Sequence, residues 1–93
     1  NDDFKAQEIT PVVVGKRMIG IFSESISHLY SISLQQEKKF RKSGYIGLNG
    51  AQIPFVDLIE KFGETSVNSN KRLIITNTPS GKKALLVDKV LKK

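Results

Sequence analysis

Apolar positions fall along the chain in short runs separated by turn residues. Thr10-Pro11-Val12-Val13-Val14 and Met18-Ile19-Gly20-Ile21-Phe22 flank Gly15-Lys16. Glycine reaches the positive φ of a tight turn without a Cβ clash, so this pattern predicts an antiparallel hairpin. Pro11 suits the strand entry, where no ladder donor is lost. A second hairpin is expected around Asn49-Gly50, between Tyr45-Ile46-Gly47-Leu48 and Ala51-Gln52-Ile53, because both turn residues accept left-handed dihedrals. A third joins Lys71-Arg72-Leu73-Ile74-Ile75-Thr76 to Lys83-Ala84-Leu85-Leu86-Val87 across the turn cluster Thr78-Pro79-Ser80-Gly81.

The remaining segments are less regular. In residues 24–34, Ile26, Leu29, Tyr30 and Ser33 match one helix face, while Ile26, His28, Tyr30 and Ile32 match strand alternation. The serines favour strand or irregular structure. Residues 35–43 are polar and basic, with Lys38-Lys39-Phe40-Arg41-Lys42 at the centre, and lack a helical apolar period; a loop is expected there. Pro54 fits a first helical position. Phe55, Leu58, Ile59 and Phe62 then form one apolar stripe, Asp57 sits in the favourable first turn, and Gly63 is placed to cap the end. A helix of about two turns is expected there, the one helix the pattern marks clearly. Residues 64–70 read as a polar loop. About five to seven short strands with one short helix describe a small β-barrel or half of a larger β-domain.

Composition narrows the function classes. With 93 residues, 39% apolar and 26% charged, the chain is one ordinary globular domain with a modest core. It has no cysteine, which excludes disulfides, a thiolate nucleophile and a cysteine metal site, and makes a reducing cytoplasm the expected location. No apolar run approaches bilayer length, and Asn1-Asp2-Asp3 is unlike a secretory signal, so no membrane insertion is expected. Fifteen Lys and Arg against nine Asp and Glu leave a charge of +6, compatible with an acidic protein face or a nucleic acid.

Catalytic chemistry has little to work with. His28 is the single histidine and cannot build a typical zinc site alone. There is no Gly-x-Ser-x-Gly elbow, Gly-x-Gly-x-x-Gly turn or P-loop. Asp57 is accounted for by a helix start, Glu60 by solvation, and Asp88 by hydrogen bonding at a strand end. No enzyme activity, cofactor or metal is expected.

Residues 48–63, Leu-Asn-Gly-Ala-Gln-Ile-Pro-Phe-Val-Asp-Leu-Ile-Glu-Lys-Phe-Gly, resemble the central signature of CheW-like domains. That signature runs from a glycine, here Gly44, through Leu-Arg-Gly and a short strand to Pro-x-x-Asp-Leu and a short helix. Gly20-Ile21-Phe22 with Ile26 resembles the family's second strand, and Leu85-Leu86-Val87-Asp88-Lys89-Val90 its Val-Asp-x-Val strand. The resemblance implies a mainly β fold of intertwined, SH3-like small barrels with one short helix. It also implies a non-catalytic chemotaxis adaptor coupling the cytoplasmic tip of a chemoreceptor to the regulatory domain of a histidine kinase. Carried over by position, Ile26 and His28 lie near a kinase or receptor contact, and Gly44, Asn49 and Gly50 on the receptor-facing side. Ile26, Ile46 and Leu48 are the expected apolar anchors of a groove that takes a helix, while Pro54, Asp57 and Leu58 are structural.

Two departures stand out. Asn49 replaces the family arginine, losing a fork suited to a receptor carboxylate. The family pattern also continues beyond Leu91, so residues 1–93 are expected to be one CheW-like domain whose second barrel lacks its C-terminal strands. Such a domain, whether a short natural form or a fragment, exposes a strand edge and apolar surface. A second copy or another CheW-like domain is expected to cover them. The alternative is a small basic β-barrel that binds RNA or single-stranded DNA through residues 38–42, Lys71, Arg72, Lys82 and Lys83; steep salt dependence distinguishes it.

Overall fold

The computed structural model describes residues 7–66 and 68–91. Among them are eight strands: β1 (Ile9–Val14), β2 (Arg17–Phe22), β3 (Ile26–Ile32), β4 (Tyr45–Leu48), β5 (Ala51–Asp57), β6 (Lys71–Thr78), β7 (Gly81–Val87) and β8 (Lys89–Val90). Two helices, α1 (Leu34–Ser43) and α2 (Leu58–Lys61), and a 3-10 turn at Ser23–Ser25 complete the elements. The strands form a three-stranded sheet, β2-β1-β8, and a five-stranded sheet, β3-β6-β7-β5-β4.

All three expected hairpins form. Gly15 closes the first with φ of 64°, and a Cβ there would lie 2.5 Å from the Cβ of Glu64, so the turn needs glycine twice over. Asn49 and Gly50 close the second with φ of 52° and 80°, the left-handed pair of a two-residue turn. Asp88, 1% exposed, ties the first hairpin to the chain's later half. Its carboxylate accepts from the Gly15 N–H and the Ser66 hydroxyl, both at 2.6 Å, as a strand-end carboxylate should.

One core serves both sheets. Val12 and Val14 of the smaller sheet cluster with Leu73, Ile74, Ile75, Ala84, Leu86 and Val87 of the larger. Consecutive buried residues in β6 mark a strand covered on both faces, which explains its continuous apolar run. The smaller sheet is apolar on its outer face as well. Ile9 faces Phe22, and Val13 faces Met18, across the β1–β2 ladder, and Met18 and Phe22 are 62% and 54% exposed.

Two expectations are corrected, and one open alternative is decided. Residues 35–43 are not a loop but most of α1. The Ser33 side chain accepts from the Gln36 N–H and the Gln36 side chain accepts from the Ser33 N–H, a reciprocal capping box, and Gly44 ends the helix in the left-handed region. The face of α1 turned inward carries Glu37 and Phe40, so no apolar stripe announces it. The second correction is at Pro54, which does not start a helix but continues β5 opposite Tyr45. Phe55, Val56 and Asp57 pair in parallel with Ala84, Leu85 and Leu86 of β7, and this ladder takes the residues that were to form the first helical turn. The helix therefore begins at Leu58, with Asp57 as its cap accepting from the Glu60 N–H at 3.0 Å, and Gly63 follows its end at φ 69°. In residues 24–34 the strand alternative holds, with a bulge between Ile26 and His28 interrupting its alternation.

Candidate protein-interaction site

The two outermost strands of the larger sheet, β3 and β4, bound an open apolar groove of about 220 Å³. Tyr30, Ser31 and Ile32 line one side, Ile46, Gly47 and Leu48 the other, with Leu73 beneath and Gln36 and Phe40 of α1 at one end. His28 lies beyond the groove on exposed β3, its ring stacked on Tyr30 at 5.8 Å. At the other limit of β4 the Asn49-Gly50 turn is exposed. A surface of this kind, apolar at the centre with polar surroundings, suits a protein partner.

Helix α1 is held against this site by ion pairs. Glu37, nearly buried, accepts from Lys71 Nζ at 2.8 Å and from Arg41 Nη2 at 2.7 Å, and Arg41 Nη1 reaches Asp57 at 2.8 Å. Burial pushes the Glu37 carboxyl up, but its hydrogen bonds to Lys71 and Arg41 and their charges outweigh this and hold it below the ordinary value. Phe40 packs near Phe55 at 6.2 Å, and Arg41 lies over the same ring. The network joins α1 to β6 and to the start of α2, fixing one end of the groove.

The sequence candidates do not all share one place. Leu48 lines the groove, half-buried, and Ile46 does so from the core, 5% exposed, so it supports the groove more than it projects from it. Ile26, before the β3 bulge, packs against the core. Gly44 caps α1 at φ 81°, and its carbonyl accepts from the Phe55 N–H. Lys71 is corrected as a surface cation: it is 7% exposed and bonded to Glu37, so the supposed basic face loses it. Arg72 Nε donates to the Tyr30 carbonyl.

No protein-family model matches the chain, and no curated protein matches it. Among solved structures, the crystal structure of the scaffolding protein TtCheW from Thermoanaerobacter tengcongensis matches with a TM-score of 0.71 over 92% of this chain, at 23% sequence identity. The chain has the CheW fold. It spans 62% of the length of that CheW protein.

Within this CheW fold, Tyr30, Gln36 and Gly47 line the groove although the sequence pattern does not mark them as site residues, and Phe40 enters it from the segment 38–42 expected for nucleic acid. Gln36 carried a signal, since Ser33-x-x-Gln36 is a capping-box spacing that foretells α1 and therefore the end of the groove. Tyr30 and Gly47 depend on β3 and β4 being the two sheet edges, which local pattern does not reveal. Among the described residues no helix is long and apolar enough to cross a membrane, and no group of three or more His, Cys, Asp or Glu could hold a metal.

Proposed function

We propose that the chain is a non-catalytic chemotaxis adaptor that couples the cytoplasmic tip of a chemoreceptor to the regulatory domain of a histidine kinase. The observation that carries this is the likeness in fold to a CheW scaffolding protein across nearly the whole chain, joined to the family-like residues 44–63. The groove and the Asn49-Gly50 turn supply the binding face, with Leu48 as apolar anchor over Ile46, Gly44 and Asn49-Gly50 at the two ends of β4, and Ile26 and His28 farther along β3. Receptor tips are helical hairpins, and a helix laid in an apolar groove draws its affinity from a few buried anchors, with charge tuning rate and specificity. The cytoplasm is the compartment this role requires.

Titration of the chain with a receptor-tip fragment and, separately, with a kinase regulatory domain tests the proposal. Both should bind, and binding should weaken only mildly between low and moderate salt. A steep log-linear loss with salt, or retention on single-stranded RNA in place of either protein, would contradict it.

The apolar outer face of β1 and β2 accounts for the second association expected of this domain. Ile9, Met18 and Phe22 put three exposed apolar side chains on this one face, a feature that marks interaction surfaces. A second copy, or another CheW-like domain, packs there.

A further inference from the structure

Gly47 has no internal reason to be glycine. Its φ is not in the left-handed region, and a Cβ built on it meets nothing within 4 Å. Glycine weakens a strand, and where packing does not require it, the absence of a side chain admits a close approach by another backbone.

The hydrogen-bond pattern of β4 shows where that approach would come from. Leu48 and Ala51 flank the two-residue turn, and in such a hairpin they exchange hydrogen bonds with one another. Alternate pairs then do the same, and two steps beyond Ile46 and Ile53 the Gly44 carbonyl indeed accepts from the Phe55 N–H at 2.9 Å. Tyr45 and Gly47 therefore direct their N–H and C=O groups away from β5, toward the free edge of the sheet. At Tyr45 the chain satisfies both itself: the Ser43 hydroxyl donates to the Tyr45 carbonyl at 2.8 Å and accepts from its N–H at 3.3 Å. Among the described residues nothing does this for Gly47.

We propose that Gly47 is the docking point for an extended, acidic-flanked segment of another protein, which adds a strand to the free edge of β4. A residue opposite Gly47 would occupy the space its missing side chain leaves, beside the exposed Tyr45 ring. The residues before and after it would point toward the groove face, along Ile46 and Leu48. This pattern, apolar on one face with a bulky residue between, is strand addition. Acidic flanks follow from charge. On α1, Lys39 lies three residues from Gln36 on the same flank of the helix, beside the groove that Gln36 and Phe40 line, whereas Glu37 and Arg41 turn to the ion-pair network. Lys39 is exposed and in no ion pair among the described residues. The proposal goes beyond the adaptor role and stands whether or not the partners are chemotaxis proteins.

The test titrates the chain with a synthetic peptide whose Val-Tyr-Val core is flanked by glutamates, followed through backbone amide shifts. The largest shift is expected at Gly47, with smaller ones at Leu48 and along α1. Gly47→Val should leave the thermal midpoint equal or higher, since nothing crowds the site, yet weaken peptide binding by about tenfold or more. Gly47→Ala serves as the milder variant if valine disturbs the hairpin. Lys39→Glu should shift preference toward a peptide flanked by lysines. Equal binding by Gly47→Val, or no shift at Gly47, would overturn the proposal. So would a Gly47 shift that follows protein concentration without peptide, which would make the occupant a second copy.

Discussion

Asn49 is the non-glycine residue with positive φ among those described, at 52°. Asparagine tolerates that region because its short side chain bonds locally, whereas a long side chain there costs about 1–2 kcal/mol. The position that the CheW-like signature gives to arginine is thus filled by a residue better suited to the turn. Asn49→Arg should lower stability by about 1 kcal/mol. It should also tighten receptor-tip binding, because the guanidinium fork can engage a carboxylate in two bonds. Denaturant unfolding and titration of one sample read both effects; lower stability with no gain in affinity would remove this position from the receptor contact. Both hairpin turns of this kind were legible in the sequence, because positive φ restricts residue type so sharply. The emptiness around Gly47 was not, since it depends on which strands end the sheet.

Helix α1 hid from its own hydropathy because its buried face is an ion pair. An apolar period is how a helix usually advertises its core contact, but here Glu37 meets Lys71, a residue 34 positions later. Only the capping box remained as a local sign. The opposite error arose at residues 54–57, where a true apolar stripe and a helix-favouring proline lost to the ladder with β7. Tertiary pairing decided both. Since Glu37 has a lowered folded pKa, its contribution to stability is complete above the ordinary carboxylate value of 4.5 and is lost as pH falls through the lower folded value. Glu37→Ala leaves Lys71 buried without its partner and should cost about 3 kcal/mol at neutral pH. It should also flatten the acid limb of the stability profile. Glu37→Leu combined with Lys71→Met should restore most of the loss, because an apolar pair of similar volume avoids the desolvation of two charges. Urea unfolding at several pH values checks this; an unchanged acid limb in Glu37→Ala would mean that α1 is held mainly by Phe40.

At the scale of the whole molecule, the larger sheet encloses the core and the smaller one is left half-covered. Val12 and Val14 point into the shared core while Ile9, Met18 and Phe22 look outward. Self-association through this face should appear in sedimentation as dimers that strengthen with salt, since each chain carries +6 and like charges repel. Met18→Lys with Phe22→Lys should leave the fold intact and make the chain monomeric; a parent chain that stays monomeric at high concentration and moderate salt would contradict the proposal.

An adaptor is defined by holding two partners at once, so the most direct measurement is whether this chain joins them. A receptor-tip fragment and a kinase regulatory domain, mixed at moderate salt with and without the chain, can be followed by sedimentation. The account predicts one complex containing all three proteins, formed with the chain and weakened by a charged substitution at Leu48. Receptor tip and kinase domain that sediment separately, beside a folded chain bound to neither or to only one, would contradict it.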